Sequence, residues 1–201
     1  MIYRSMYAAY RKDDTPVLDL HHPDVTHLAV SCYEKQIFVY IESRDPDLVP
    51  EDAIEGELVP FPNGALYFRM TEVFHYSTPW SEEHWSRGEG ERRPFVRVNY
   101  LKPECTASYV FYHYQFQEEN PGMVDKYGVL YMFGNLLVLY HELPFTPEEK
   151  PHAPSLSTHN TPVGKEAWDD MIEQHFIPWE DEALRNHPNG PWLEIKTEIF
   201  R

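Results

Sequence analysis

The chain has 201 residues, of which 42% are hydrophobic and 15% aromatic, and its formal net charge is −16 at pH 7. This composition excludes an intrinsically disordered chain, and the charge opposes binding to nucleic acids and to anionic membrane surfaces. Cys32 and Cys105 are too few for a disulfide framework or a cysteine-based zinc site. Because no apolar run could span a bilayer and the chain enters a strand pattern without a signal peptide, we expect a cytoplasmic protein.

The first third of the chain predicts strands around one short helix. Thr15-Pro16 is a helix-start signal, and Pro23 should end that helix after about two turns. The other predicted elements are a strand (2–11), a hairpin (28–42), at most a short helix in a proline-rich loop (51–56) and an alternating closing strand (65–76).

A charged linker, residues 77–93, separates this part from a second set of elements that begins with a strand over 95–102. Residues 106–119 fit two elements. Their alternation favours a strand, whereas Thr106 as a cap residue favours an aromatic-rich helix.

The most informative segment is residues 126–142, in which two apolar runs flank Gly134-Asn135, a pair that suits a tight hairpin turn. Large apolar side chains spaced three and four residues apart then predict a helix over 163–186, and Pro178 should kink or break this helix. Residues 192–200 predict the closing strand.

Three blocks recur in the same order, which indicates an internal duplication. The hairpin at 28–42 matches the hairpin at 126–142, with Val30 answering to Val129. The other matches pair residues 2–7 with 95–100 and residues 62–74 with 188–200. We therefore expect two similar units, a degenerate one at 1–76 and a complete one at 94–201, joined by the linker 77–93.

Each unit reads as strand, helix, hairpin, helix or loop, strand, which is the order of a ferredoxin-like unit. The second unit resembles the EthD-like and L-rhamnose-mutarotase-like families of the dimeric α/β-barrel superfamily. The resemblance rests on residues 101–115, on the hairpin, and on residues 179–186 and 193–200. It implies an α+β fold in which tandem ferredoxin-like units with antiparallel sheets form a pseudo-dimeric α/β barrel.

The resemblance also implies a site. These families often have a first helix that contains Tyr or Phe and carries a His near its C-terminal end, a place that His113 takes in the second unit and His22 in the first. The helices of the first unit are shorter than in the family, so this unit would replace the sheet that a second subunit supplies elsewhere. The second unit would then hold the only well-formed pocket.

A rival fold follows if residues 106–117 form a strand. The element order is then similar to a lipocalin-like nine-stranded β-barrel with a C-terminal helix. The Gly-x-Trp start of that family is missing from the first strand, and the duplication would be incidental.

No nucleotide-binding loop, nucleophile elbow, HExxH helix or acidic calcium loop is present, so the sequence predicts neither a cofactor nor a metal site. The remaining signal is a surplus of Tyr, Trp and His, which can stack on ring-containing ligands and move protons near neutral pH. The candidate catalytic residues are His113, Tyr112 and His22, and the candidate substrate-binding residues are Tyr131, Trp168, Tyr109 and Met171. Each of them also fits an ordinary core or surface role.

These signals predict a cofactor-free protein that encloses a small organic ligand and, as an enzyme, transfers protons on an aromatic, polyketide-like or sugar substrate. The expected reaction types are isomerisation, cyclisation, mutarotation and oxygenation. The alternatives are a non-catalytic lipocalin-like binding protein and a structural or regulatory module without a pocket. A homodimer is compatible with the sequence.

Overall fold

The computed structural model describes residues 1–13, 22–50, 57–119, 122–150, 168–181 and 191–201. In these ranges the chain is a mixed α+β protein of open, antiparallel sheets with few helices, which confirms the predicted class. The helices are α1 (Glu82–Trp85), α2 (Thr106–Glu119) and α3 (Trp168–Glu173). The strands are β1 (Tyr3–Arg11), β2 (Val25–Tyr33), β3 (Gln36–Ser43), β4 (Leu58–Val59), β5 (Phe68–Arg69), β6 (Thr71–His75), β7 (Arg93–Tyr100), β8 (Gly122–Asp125), β9 (Val129–Phe133), β10 (Leu136–Leu143), β11 (Pro147–Lys150), β12 (Leu193–Glu194) and β13 (Lys196–Phe200).

The chain divides into two compact units that are interleaved along the sequence. Unit 1 comprises Met1–Thr71, Thr78–Val96 and Ile195–Arg201, and unit 2 comprises Glu72–Ser77 and Arg97–Glu194. The predicted boundaries at 76 and 94 follow the order of the sequence repeats, whereas these units follow contacts in space.

Unit 1 is built on a six-stranded sheet in which β3 lies between β1 and β2. β1 runs antiparallel to β3 from Tyr3 opposite Ser43 to Tyr10 opposite Gln36, and β2 pairs with the other edge of β3. β13 lies beyond β2, while the short strands β4 and β5 pair with β1. The apolar side chains of the sheet form a buried core that includes Leu28, Val30, Val39 and Ile41.

A buried ion pair attaches the predicted linker to this sheet. Glu42 is 1% exposed, and its two carboxylate oxygens accept hydrogen bonds from the two terminal nitrogens of Arg87 over 2.8 and 2.9 Å. The hydroxyl of Tyr40 donates to the same carboxylate over 2.8 Å. Burial by itself raises the pKa of Glu42, but the hydrogen bonds and charge of Arg87 outweigh it, so the pKa is lowered.

Unit 2 is built on a five-stranded sheet in the order β12, β7, β10, β9, β6, and on a second, small sheet of β8 and β11. The predicted hairpin is present as β9 and β10, with Leu136 opposite Phe133. Gly134 in the turn has a φ of 60°, a conformation that favours glycine. In the small sheet, Asp125 lies opposite Pro147.

The two large sheets share one strand order, but each contains the closing strand of the other half of the sequence. Unit 1 reads β13, β2, β3, β1, and unit 2 reads β6, β9, β10, β7. The structure thus corrects the expectation that residues 65–76 close the first unit and residues 192–200 the second. Only the short segments before them, β5 and β12, pair with the first strand of their own half. Periodicity identifies a strand, but not the strand with which it pairs.

Residues 106–119 form helix α2, which confirms the helical interpretation. The lipocalin-like alternative required a strand here and is therefore wrong. The alternation was misleading because aromatic residues occupy both sides of the helix. Tyr109 is fully buried, whereas Phe111 and Tyr114 are half-exposed.

Within the described residues, α3 is shorter than the helix predicted over 163–186. It ends at Glu173, where the N–H groups of His175 and Phe176 donate to the carbonyls of Ile172 and Glu173 in tight turns. Pro178 follows and cannot continue a helix. The helix predicted to start at Thr15-Pro16, the one at 51–56, and residues 163–167 and 182–186 lie outside the described residues.

Candidate functional site

His113 lies on the buried side of α2, inside an aromatic cluster of unit 2. The residue is 9% exposed, and its ring packs against Tyr109 (centroids 4.1 Å apart), Trp168 (5.2 Å) and Phe74 (5.5 Å). Nδ1 of His113 lies 3.0 Å from the carbonyl oxygen of Tyr109, one helical turn earlier. Because a carbonyl oxygen can only accept, Nδ1 carries a proton.

Five of the predicted site residues meet in this cluster, namely Tyr109, Tyr112, His113, Trp168 and Met171. Burial lowers the pKa of His113 to about 4, so the ring is neutral at pH 7. Burial likewise raises the pKa of Tyr109 well above its usual range. None of the five lines either pocket described below. The arrangement is that of a packed core, and the catalytic role of His113 stays a prediction.

The other two predicted residues lie elsewhere. Tyr131 is buried in β9, and its hydroxyl donates to Oε2 of Glu72 over 3.4 Å. His22 belongs to unit 1, where its Nδ1 accepts the backbone N–H of Asp24 over 3.3 Å. The predicted site residues are therefore divided between the two units.

Unit 2 has an open pocket of about 470 Å³ beside the small sheet of β8 and β11. Its walls combine apolar and ionisable side chains, from Tyr76, Arg97, Met123, Val124, Asp125, His141, Phe145 and Pro147. The volume is typical of small-molecule sites. None of these residues is among the candidates taken from the sequence.

His141 and Asp125 form a short hydrogen bond in the wall of this pocket. Nδ1 of His141 lies 2.5 Å from Oδ2 of Asp125, and both side chains are largely buried. The second carboxylate oxygen, Oδ1, accepts the backbone N–H of Thr146 over 3.0 Å. Since both oxygens are held, Asp125 fixes the orientation of the imidazole and leaves Nε2 as the unprotonated nitrogen of the neutral ring.

Gly128 allows the His141 ring to occupy its position. A Cβ atom on Gly128 would lie 2.4 Å from Cδ2 of Tyr76 and 2.7 Å from Cε1 of His141, which is closer than side-chain atoms can approach. The N–H of Tyr76 also donates to the carbonyl of Gly128 over 3.1 Å. Two pocket residues therefore pack directly against this glycine.

Unit 1 has a pocket of similar size, about 480 Å³, at the equivalent place of its own sheet. The equivalence follows from backbone pairing. The N–H of Arg201, just after β13, donates to the carbonyl of Leu28, as the N–H of Tyr76, just after β6, donates to Gly128. The unit 1 pocket is lined by His22, Pro23, Val25, Thr26, His27 and Arg201. The expectation that the second unit holds the only well-formed pocket is therefore wrong.

The hairpin turns set the correspondence between the two sheets. Gln36 lies opposite Tyr33 and Leu136 opposite Phe133, so equivalent hairpin positions differ by 136 − 36 = 100. The bonds at the ends of the first strands agree. The N–H of Arg11, the last residue of β1, donates to the carbonyl of Lys35, and the N–H of Leu101, just after β7, donates to the carbonyl of Asn135.

In this register, unit 1 has one continuous strand, β2, where unit 2 has β8, a turn and β9, and it lacks the histidine, the aspartate and the glycine. The residues equivalent to Asp125, Gly128 and His141 are Val25, Leu28 and Ile41. Leu28 and Ile41 lie opposite each other as fully buried core residues. The strand pairing therefore does not require the His141–Asp125 pair, which distinguishes the unit 2 pocket from its counterpart.

The repeat alignment taken from the sequence differs by one residue from the register of the structure. For this reason it does not single out His141 of the His141–Asp125 pair. Matching Val30 with Val129 sets the repeat at 99 positions, which compares His141 with Glu42, another polar residue. The register of the structure compares it with Ile41 and reveals a histidine in place of a core aliphatic residue. Asp125 lies 16 positions before His141 and has no spacing signal of its own.

In the described part of the chain, no helix is long and apolar enough to cross a membrane. The same residues contain no group of three or more His, Cys, Asp or Glu side chains placed to hold a metal ion. Comparisons with protein-family models, with curated proteins and with solved structures found no match to this chain. The geometry of the unit 2 pocket is therefore the basis for assigning a function.

Proposed function

We propose that the unit 2 pocket is a proton-transfer site in which His141, oriented by Asp125, acts as a general acid or base on a small organic molecule. The observation that carries this proposal is the 2.5 Å hydrogen bond between these two residues in the wall of a pocket of about 470 Å³. The reaction uses no cofactor, because a histidine accepts and returns a proton near neutral pH by itself.

Asp125 has two effects on His141. Its hydrogen bond keeps the neutral ring in the tautomer with the proton on Nδ1, which leaves Nε2 as the base. When Nε2 takes a proton from the ligand, the carboxylate lies beside the resulting imidazolium and stabilises it. Because the backbone of Thr146 also holds Asp125, little reorganisation is needed during the transfer.

The remaining walls fit a ligand with an apolar body. Val124, Phe145 and Pro147 present apolar surface, and Tyr76 adds an aromatic ring with a hydroxyl group. The ring centroid of Phe145 lies 5.5 Å from that of His141, so a ligand held against Phe145 is close to the base. Enolisation, isomerisation or cyclisation of an aromatic or polyketide-like carbonyl compound, and mutarotation of a sugar, all require such an acid–base group.

We also propose that the chain is a tandem of ferredoxin-like units similar to the EthD-like and L-rhamnose-mutarotase-like proteins. The shared strand order of the two sheets and the equivalent backbone bonds after β6 and β13 support this kinship. The position of α2 between β7 and the hairpin also supports it. The kinship favours His113 as the acid or base. The activities of His113 and His141 variants should therefore be compared.

Exchange of carbon-bound hydrogen with solvent deuterium tests the acid–base proposal without knowledge of the natural substrate. A 1,3-diketone and an arylpyruvate are incubated with the protein in D2O, and loss of the α-C–H signal is followed by proton NMR; mutarotation of an aldose is followed by polarimetry. We expect His141→Gln to slow the catalysed reaction by at least about 100-fold and Asp125→Asn by at least about 10-fold.

His75→Gln is the matched control, because Nδ1 of His75 also pairs with a carboxylate, Glu72 at 2.7 Å, but does not line the pocket. It should leave the rate unchanged. If His113→Gln abolishes exchange while His141→Gln retains it, the site predicted from the sequence is the correct one. If the wild-type protein binds the probes without accelerating exchange, the pocket belongs to a non-catalytic binding protein.

A further inference from the structure

Arg97 brings a positive charge into the pocket of a strongly acidic protein. The chain has 33 acidic and 17 basic residues, yet Asp125 is the single carboxylate among the described residues that line this pocket. Both oxygens of Asp125 are held, one by His141 and one by the N–H of Thr146. Arg97 is the arginine among the described residues that line the pocket, and it gives this wall a positive charge.

The guanidinium of Arg97 is only partly hydrated. The side chain is half-buried, and its guanidinium carbon lies 5.9 Å from the centre of the Trp192 ring. Burial lowers the pKa of Arg97, while Tyr76 and Glu194 favour the charged form. The ordinary pKa of arginine is so high that the group remains a cation at neutral pH. Reduced competition from water strengthens its hydrogen bonds to an anionic ligand.

Apolar surface lies in the same pocket. Met123 on β8 and Phe145 just before β11 both line it, although they are 67% and 51% exposed. An apolar ligand that covers them removes this surface from water, which is favourable. A cation and an exposed aromatic and thioether surface in one pocket match a ligand with a charged end and an apolar end.

We propose that the pocket selects small carboxylic acids, with the carboxylate on Arg97 and an aromatic or branched apolar body against Phe145 and Met123. This inference rests on the proposed function and makes it more specific, since His141 then acts on a bound organic acid of the arylacetic or arylpyruvic type. Neutral sugars and neutral polyketides are poor ligands of such a site.

The test compares phenylacetate with phenylacetamide, a neutral molecule of nearly the same shape. Binding of either molecule does not require proton transfer by the His141–Asp125 pair. Affinities are measured at pH 7.5 and low salt by isothermal titration calorimetry. We expect phenylacetate to bind at least about tenfold more tightly than the amide, because it forms charge-assisted hydrogen bonds with the guanidinium. With the methionine methyl groups labelled by ¹³C, the Met123 signal should shift on addition of phenylacetate.

Arg97→Gln should remove the preference for the acid, and Arg97→Lys should keep part of it, because lysine retains the charge but not the planar fork. Arg93→Gln is the matched control, since Arg93 is an exposed arginine on the same strand that does not line the pocket. Thermal unfolding of each variant checks that it is folded. If Arg97→Gln is not folded, the Arg97→Lys comparison decides.

Two results would overturn the inference: equal affinity of the wild-type protein for the acid and the amide, or an undiminished preference in both Arg97 variants. His141→Gln should retain the preference for phenylacetate, because it leaves Arg97 in place. Failure of the acid–base proposal and failure of this inference are therefore distinguishable. The first appears as unchanged deuterium exchange in His141→Gln. The second appears as equal affinity of the wild-type protein for acid and amide, or as an undiminished preference in both Arg97 variants.

Discussion

The imidazole of His141 lies so close to Gly128 that a Cβ atom on the glycine would be 2.7 Å from Cε1 of the ring. In unit 1 the corresponding residues are Leu28 and Ile41, which face each other across β2 and β3 in the core. Unit 2 thus replaces two packed aliphatic side chains by a glycine and a histidine. Such a replacement lowers the packing density of the core. It is typical of a functional site, where stability is reduced in favour of function.

Gly128→Ala should therefore impair the pocket. The added methyl group has no space beside Tyr76 and His141, so we expect the ring of His141 to move away from Asp125 and the catalysed deuterium exchange to fall. Overpacking should also lower the free energy of unfolding by about 1–3 kcal/mol, as measured by urea denaturation. Gly88→Ala is the control, because a Cβ there would meet no atom within 4 Å. Full activity of Gly128→Ala would show that the close packing is not needed.

His113 should make the fold sensitive to mild acid. Burial lowers its pKa in the native state to about 4, below the usual value of 6.5 that we expect in the unfolded chain. As the pH falls through 6.5, the unfolded state takes up a proton that the native state does not. The free energy of unfolding therefore falls until the native group titrates near pH 4. Through this residue alone, the free energy of unfolding of the wild-type protein should fall by about 2 kcal/mol between pH 7 and pH 5.

His113→Gln should remove that contribution, whatever its effect on stability at pH 7. Urea denaturation of both proteins at the two pH values provides the measurement. Equal pH dependence of the two proteins would mean that His113 is protonated as readily in the native state as in the unfolded state.

The ion pair between Glu42 and Arg87 should be a major contributor to the stability of unit 1. Arg87→Met leaves the Glu42 carboxylate buried without its cation, which should cost about 3–5 kcal/mol near pH 7. Arg44→Met is the control, because Arg44 pairs with Glu82 at the exposed surface, where the loss should be slight. Chemical denaturation of both variants compares them.

The loss of stability caused by Arg87→Met should also depend on pH, because Glu42 is ionisable. Since its pKa is lowered in the native state, its contribution is present above the ordinary glutamate pKa and is lost as the pH falls through the native value. The difference in the free energy of unfolding between wild type and Arg87→Met should thus shrink as the pH falls below the ordinary glutamate pKa. A difference that stays constant with pH would show that lost packing of the arginine, and not its charge, is responsible.

Removal of residues 195–201 should affect the sheet of unit 1. β13 pairs with β2, and Arg201 exchanges two backbone hydrogen bonds with Leu28. Hydrogen exchange measured by mass spectrometry should show faster exchange in β2 of the truncated chain, with less change in β9 and β10. The opposite pattern is expected if β13 closes the second half of the sequence, as the linear order of the repeats suggests.

The sequence by itself determines the features that depend on neighbouring residues. Gly134-Asn135 between two apolar runs specifies the β9–β10 hairpin, because the turn needs a positive φ and the runs need a shared face. Local patterns also predict the α+β class, but residues 106–119 fit both a strand and a helix, and only the structure decides for the helix. The common order of the repeated blocks agrees with the common strand order of the two sheets.

Only the tertiary structure decides which strands pair and which side chains meet. The exchange of β6 and β13, and the contact of His141 with Asp125, depend on hydrogen bonds between segments that are distant in the chain. In a strand, successive side chains point to opposite faces, so a register that differs by one residue assigns a different role to every position. That single step decides whether His141 is compared with the polar Glu42 or with Ile41 of the core.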